Sequence, residues 1–247
     1  MFKKYDVLKS FLAVLFLLVI LLPACKEEDE PVPVIETGKV TDIDGNEYKT
    51  VKIGNQWWMA ENLKVSKYNN GTPIPFVQDP NFGWATVQDA CCLYNNSSNS
   101  TGYLYNFEAV TNTSKLAPEG WHIPTDSEWK QLELHLGMSG SEVDFTGWRG
   151  SNEGEKLKME ANSGWAFYEN VWATNESGFS AEAGSCIVFN GKLGNPGIQY
   201  NGFWWTSSED SDTEAWYRHM DYKERRIFRF HGQNNYGFSI RCVKDAN

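Results

Sequence analysis

No Cys-x-x-Cys pair occurs in this chain, and neither does a His-Glu-x-x-His helix, a Gly-x-Ser-x-Gly elbow, a phosphate-binding loop or a dinucleotide fingerprint. Zinc ribbons, thioredoxin-like redox proteins, zinc proteases, serine hydrolases and nucleotide-dependent enzymes thus lack the motif each depends on. Gly191, Gly194 and Gly197 recur at the wrong spacing for a nucleotide loop and read as a flexible segment. Histidine is scarce: the four are His122, His135, His219 and His231, scattered along the chain. His122, wedged between Trp121 and Ile123-Pro124, reads as a hydrogen-bonded structural residue and not as a general base. Positive charge is also short, with 22 basic against 32 acidic side chains and a net charge of −10. Such a surface repels phosphate backbones, which excludes nucleic acid as a partner. Aromatic residues, by contrast, are abundant: 11 Trp, 11 Tyr and 14 Phe in 247 residues, enough to fill a sizeable core.

The apolar run Phe11 to Leu22 is twelve residues long. A membrane-spanning helix needs roughly 20, so the run suits a secretory leader preceded by the basic residues Lys3, Lys4 and Lys9. It ends in Leu22-Pro23-Ala24-Cys25, which resembles a bacterial lipobox, with the Cys25 thiol as the acceptor of a diacylglyceryl group. Residues 1–25 are read as a lipoprotein signal ending at the lipidated cysteine, which makes the protein anchored to a membrane, not spanning it. Residues 26–37 follow as a tether of the acidic run Lys26-Glu27-Glu28-Asp29-Glu30 and the stiff Pro31-Val32-Pro33. The acidic run resembles the export signal that carries Bacteroidota lipoproteins to the outside of the outer membrane, and surface display is the expectation.

The rest, residues 38–247, reads as one domain without internal repeats. Its organising stretch is Gly120 to Leu132. Pro124 holds Ile123 extended, Thr125 and Glu128 form an S/T-x-x-E capping box, and Asp126 sits where the helix dipole favours negative charge. Trp129, Leu132 and Leu136 form one apolar stripe, and Gly137 is a natural stop. Before it, residues 38–58 read as a hairpin turning at Asp44-Gly45, then at Gly54-Asn55 into a strand with Trp57 and Trp58 on opposite faces. Residues 64–101 are loop-rich, Tyr103 to Val110 is a candidate short helix or the beginning of a strand, and a second helix is expected around 154–161. Strands are expected at 185–190, 202–207, 214–220, 225–231 and 237–244. In the last of these Phe238, Ile240 and Cys242 point inward, and Ser239, Arg241 and Val243 outward.

With Cys25 assigned to lipid, Cys91, Cys92, Cys186 and Cys242 remain. An even number in an exported protein argues for disulfides. Four cysteines allow three pairings, of which the vicinal Cys91–Cys92 bridge is the strained one.

Several blocks then line up in order: Ile53-Gly54-Asn55-Gln56-Trp57-Trp58-Met59-Ala60-Glu61-Asn62-Leu63, Gly102-Tyr103-Leu104-Tyr105-Asn106 and Ala117-Pro118-Glu119-Gly120-Trp121-His122-Ile123-Pro124-Thr125. Gly178-Phe179-Ser180-Ala181, Trp204-Trp205-Thr206-Ser207-Ser208-Glu209 and Tyr236-Gly237-Phe238-Ser239-Ile240-Arg241-Cys242 complete the set. Together, over roughly residues 38–245, they resemble the Fibrobacter succinogenes major paralogous domain, a family of exported lipoproteins without a settled activity. The blocks around Pro124-Thr125 and Gly237-Phe238 also look distantly like formylglycine-generating enzymes. That likeness implies a C-type-lectin-like α+β fold: a mixed, mostly antiparallel sheet with two or three short helices and long loops. The cysteines beyond the family's usual pattern suggest an added bridge, giving Cys92–Cys242 and Cys91–Cys186 as the expected pairing. The copper site and reactive thiol pair of those enzymes have no counterpart here, so no catalytic residue is assigned.

The patch that invites a functional reading is Trp205 with Glu209, Asp210, Asp212 and Glu214. In lectin-like folds, acidic side chains beside a tryptophan-bearing strand can hold calcium and sugar hydroxyls through hard oxygen ligands. Calcium is the metal considered; no other cofactor is indicated. The plainer reading is a core tryptophan followed by a polar hairpin loop. The expected function is recognition of a glycan or protein ligand at the cell surface. The alternatives are a cell-envelope enzyme related to formylglycine-generating enzymes and a purely structural envelope lipoprotein.

Overall fold

A computed structural model describes residues 34–93, 102–160, 164–188, 192–194 and 199–246. The leader, Cys25 and the tether up to residue 33 lie outside the described residues, and Ile35–Asn247 forms one compact unit. Among the described residues no helix is long and apolar enough to cross a membrane.

The architecture is mostly antiparallel sheet with a few short helices. β1 (Thr37–Thr41), β2 (Glu47–Ile53), β3 (Gln56–Met59) and β12 (Val243–Asp245) make one four-stranded sheet in the order β1-β2-β3-β12. β6 (Gly147–Arg149), β9 (Asn201–Ser211), β10 (Glu214–Asp221) and β11 (Ile227–Gln233) make the second, ordered β6-β11-β10-β9. Two ribbons, β4 (Cys91–Leu93) with β5 (Tyr103–Tyr105) and β7 (Cys186–Val188) with β8 (Lys192–Gly194), complete the strands among the described residues. The helices are α1 (Pro80–Gly83), α2 (Phe107–Thr111), α3 (Asp126–His135) and α4 (Glu153–Leu157). The Tyr103–Val110 stretch, a candidate short helix or a strand beginning, is both: strand up to Tyr105 and helix from Phe107. The break falls at Asn106, whose side chain caps α2 by accepting from the Ala109 N–H and also accepts from the Ala90 N–H.

α3 follows its local code. Thr125 Oγ1 accepts from the Glu128 N–H, and the Glu128 carboxylate accepts from the Thr125 N–H and hydroxyl. Gly137, at φ 111°, ends the helix. Its N–H reaches the Leu134 carbonyl while that of Met138 reaches Glu133, which closes a Schellman turn. Below the helix, Trp129 packs against Trp58 and Phe179, with ring centroids 5.1 to 5.7 Å apart. Each such aromatic pair adds about 0.5–1.5 kcal/mol beyond area burial.

Residues 236–242 are the spine that joins the sheets. Gly237 bridges Ile187, Phe238 bridges Tyr105 and Ser239 bridges Trp204, while the Ile240 and Cys242 carbonyls accept from Leu63 and Met59. A side chain at Gly237 would meet Trp84 at 2.7 Å and Ile187 at 2.9 Å, so only glycine lets the backbones approach. This corrects the inward–outward alternation read for the segment: Ser239, Arg241 and Val243 are buried too. A strand enclosed on both faces cannot keep a polar side. The Arg241 guanidinium resolves the conflict by donating to Asn62 Oδ1 at 2.7 Å and to the carbonyls of Met59, Phe179 and Ser180 at 3.0, 2.7 and 2.8 Å. Burial lowers its pKa to about 10.

The expected bridges Cys92–Cys242 and Cys91–Cys186 are corrected as well: all four thiols are free and buried. Cys91 and Cys92 are consecutive in β4 and so face opposite ways. Cys92 packs with Val77, Trp84 and Leu104, while Cys242 sits in the cluster of Tyr48, Met59 and Trp205. Burial pushes the thiols of Cys91 and Cys186 up to about 12, and those of Cys92 and Cys242 up as well. Such thiols are poor nucleophiles and resist oxidation. Ellman's reagent on unreduced Cys25→Ser protein is expected to find no reactive thiol in the native state and four in denaturant. Two or none in denaturant would restore the bridges.

Candidate functional site

The hairpin between β9 and β10 separates the residues singled out from the sequence. Trp205 is fully buried: its Nε1 donates to the Tyr105 carbonyl at 2.9 Å, and its ring packs on Phe238 and Phe107 at 4.4 and 5.5 Å. It belongs to the core and takes no part in a surface site, as the plainer reading holds. Its neighbour Trp204 is buried on the other side of the strand, donating to Asn62. Glu209, Asp210 and Asp212 are exposed and Glu214 is half-buried. Asp210 and Glu214 come together with a residue the sequence reading had not placed there, His231 of β11. One ligand atom from each of the three lies within 4.8 Å of the others. His231 Nδ1 is 2.7 Å from Glu214 Oε2 and 3.7 Å from Asp210 Oδ2. Strand register, invisible in a linear sequence, sets Trp216 opposite His231 and so brings Glu214 beside it.

Deeper on the same sheet, a buried ionic network clamps α3 to β6, β10 and β11. Asp126 accepts from Arg218 Nη1 and from Arg229 Nε and Nη2, each at 2.8 Å, and Lys130 Nζ is 3.0 Å away. Glu133, wholly buried, accepts from Arg218 Nε at 2.6 Å and lies 2.8 Å from Arg149 Nη2. Burial opposes ionisation of Asp126, but the hydrogen bonds from Arg229 and Arg218 outweigh it and hold the carboxyl well below the usual range. The network is largely buried and its carboxylates are paired with its own guanidiniums, although Glu133 Oε2 and Arg149 Nε make no hydrogen bond, so it serves the fold. His122 is likewise structural: it is hydrogen-bonded to Glu128, the capping-box carboxylate.

The surface with open chemistry lies at residues 165–172, between the helix expected around 154–161 and the strands expected from 185. Tyr168 pairs with Val171 across a tight turn in which Asn170 adopts φ 63°. This small hairpin is held at its flanks, where Ala166 N–H donates to the Gln199 carbonyl, Trp172 N–H to Glu155 Oε1 and Trp165 Nε1 to the Ala181 carbonyl. It presents Phe167, 75% exposed, Trp172, 57% exposed, and Tyr168. Tyr200 and Tyr222 extend the cluster, with Tyr222 4.8 Å from Tyr200 and 5.8 Å from Tyr168, and Lys223 Nζ lies over both Tyr168 and Tyr222. Lys158 lines a small pocket with Trp165, Phe167, Trp172 and Tyr222. It donates to the Asp221 and Glu224 carbonyls at 2.6 Å, and burial lowers its pKa to about 8. The signal was present in the sequence as Trp165-Ala166-Phe167-Tyr168-Glu169-Asn170-Val171-Trp172, four aromatics in eight residues. Only tertiary structure shows that three of the four face out.

Residues 51–244 match the model of the Fibrobacter succinogenes major domain. The chain belongs to that family. No curated protein and no solved structure matches it. The match covers the Trp58 and Trp129 core, the spine and the aromatic hairpin. Asn62 and Arg241, which lie in two of the ordered blocks, meet in a buried hydrogen bond.

Proposed function

We propose that this chain is a recognition module with a C-type-lectin-like scaffold, held at the outer face of the outer membrane by lipid on Cys25, and that it binds glycan through the aromatic hairpin at 165–172. One observation carries the reading: the outward display of Phe167 and Trp172 on a backbone fixed by hydrogen bonds. Large exposed aromatics cost solubility and are typical of binding surfaces. Phe167 and Trp172 meet edge to face, with ring planes 71° apart, which leaves ring faces free to stack on the apolar face of a sugar. Lys223 at the rim supplies donors for hydroxyl or acidic groups. Burial of all four cysteines of the domain weighs against a thiol-based enzyme.

The test is an oligosaccharide array probed with detergent-solubilised protein, followed by titration of any hit. Trp172→Ala and Phe167→Ala are each expected to weaken binding about tenfold or more, equivalent to about 1.4 kcal/mol, with an unchanged thermal midpoint. A wild-type protein that binds no glycan, or hits indifferent to both substitutions, would sink the proposal.

A further inference from the structure

We propose that Asp210, Glu214 and His231 form a binding site for a divalent first-row transition metal of the zinc class, at the open end of the second sheet. The site is separate from the aromatic hairpin and does not depend on what that surface binds.

Three adjacent strands each supply one side chain. The register pairs Ser211 with Glu214 and Glu209 with Ala215, so Asp210 is the extra residue of a β-bulge. Bulges re-aim side chains, and this one turns Asp210 towards the other two. His231 is set in orientation by its rings of contact: it stacks on Phe230 at 4.4 Å and meets Trp216 edge-on at 5.6 Å. Its Nδ1 then faces both carboxylates. Ligand atoms bound tetrahedrally to zinc sit about 3.4 Å apart, given metal–ligand distances of about 2.0–2.2 Å. The 2.7 and 3.7 Å separations here bracket that value, so small rotamer adjustments suffice. A cation would take the place now held by the hydrogen bond between His231 and Glu214.

Ligand chemistry decides which ion. Calcium takes six to eight oxygens, and here three side chains converge, one of them through nitrogen. Imidazole with carboxylates suits zinc and its neighbours in the series. This changes the metal expected from the acidic residues alone, because His231 was not then part of the set. The guanidinium of Arg229, two residues before His231 on β11, is bonded to Asp126 and stacked 3.6 Å over Trp216, so it is engaged away from the two carboxylates. The three side chains are 29 to 34% exposed, which leaves solvent access and at least one coordination position for water or an incoming donor.

The experiment is isothermal titration of untagged, chelator-stripped, detergent-solubilised full-length protein with zinc chloride and, separately, calcium chloride. One zinc per chain is expected, with His231→Ala and Asp210→Asn each weakening it about a hundredfold, and His122→Ala, at a histidine elsewhere, leaving it unchanged. Cobalt substitution is expected to give the visible absorption of a mixed nitrogen–oxygen site, lost in His231→Ala. No zinc binding, zinc binding indifferent to both substitutions, or calcium bound more tightly than zinc would each overturn the assignment.

Discussion

Glu133→Gln is expected to be among the most damaging single substitutions in this chain, costing about 3–5 kcal/mol. The side chain is fully buried and is the acceptor shared by Arg218 and Arg149, themselves essentially without solvent contact. Removing its charge leaves two guanidiniums facing each other across a neutral amide, with no water to take up the difference. Repelled from one another, they weaken the hold of the second sheet on α3, which the Asp126 bonds to Arg218 and Arg229 are then left to carry. The measurement is a urea or guanidinium midpoint at unchanged slope. Its control is Glu47→Gln, which removes an equally short pair, Lys39 to Glu47 at 2.6 Å, whose side chains are 65 and 57% exposed. There little or no loss of stability is expected, because water already solvates both ends. Equal effects at the two sites would show that burial is not what gives the network its weight. Asp126 adds a pH signature to the same clamp. Its folded pKa is depressed, so its stabilisation is complete above the ordinary carboxylate value and is lost as pH falls through the folded one.

Trp205→Ala is expected to destabilise by a similar amount, about 3–5 kcal/mol, and to yield little soluble protein. The indole fills the centre of the largest cluster, between Phe107 and Phe238, and its Nε1 satisfies the Tyr105 carbonyl. Alanine would leave a cavity and remove one of the two hydrogen bonds that the Tyr105 carbonyl accepts, the other coming from the Phe238 N–H. A ligand-binding tryptophan behaves in the opposite way, losing binding at constant stability. Trp172→Ala is expected to do so, with a stability change within about 0.5 kcal/mol. Comparing chemical denaturation of the two variants therefore separates core from surface. Wild-type stability in Trp205→Ala would contradict its assignment to the core.

Much of this protein could be read from local chemistry. The capping box at Thr125 and Glu128, the stop at Gly137, the turn at Asp44-Gly45 and the antiparallel strands all follow from neighbours within a few residues, where φ/ψ preference and side-chain hydrogen bonding act without help. The polar hairpin beyond Trp205 was legible for the same reason. The ordered aromatic and glycine blocks were enough to point to the family.

What tertiary structure decided depends on residues far apart in sequence. Alternation at 237–244 suggested a strand with one wet face, yet the segment is enclosed on both, and Arg241 is buried because carbonyls from two distant segments receive it. Parity of cysteines suggested bridges, but bridging needs geometry: all four thiols are free, and consecutive positions in β4 put Cys92 in a different cluster from Cys242. His231 joins Asp210 and Glu214 through strand register, and Phe167 and Trp172 are exposed because a short hairpin turns them outward. A sequence specifies periodicity and caps through local energies. Which face meets which, and whether a charge or an aromatic ring ends in the core or in water, is settled only when distant segments compete for the same space.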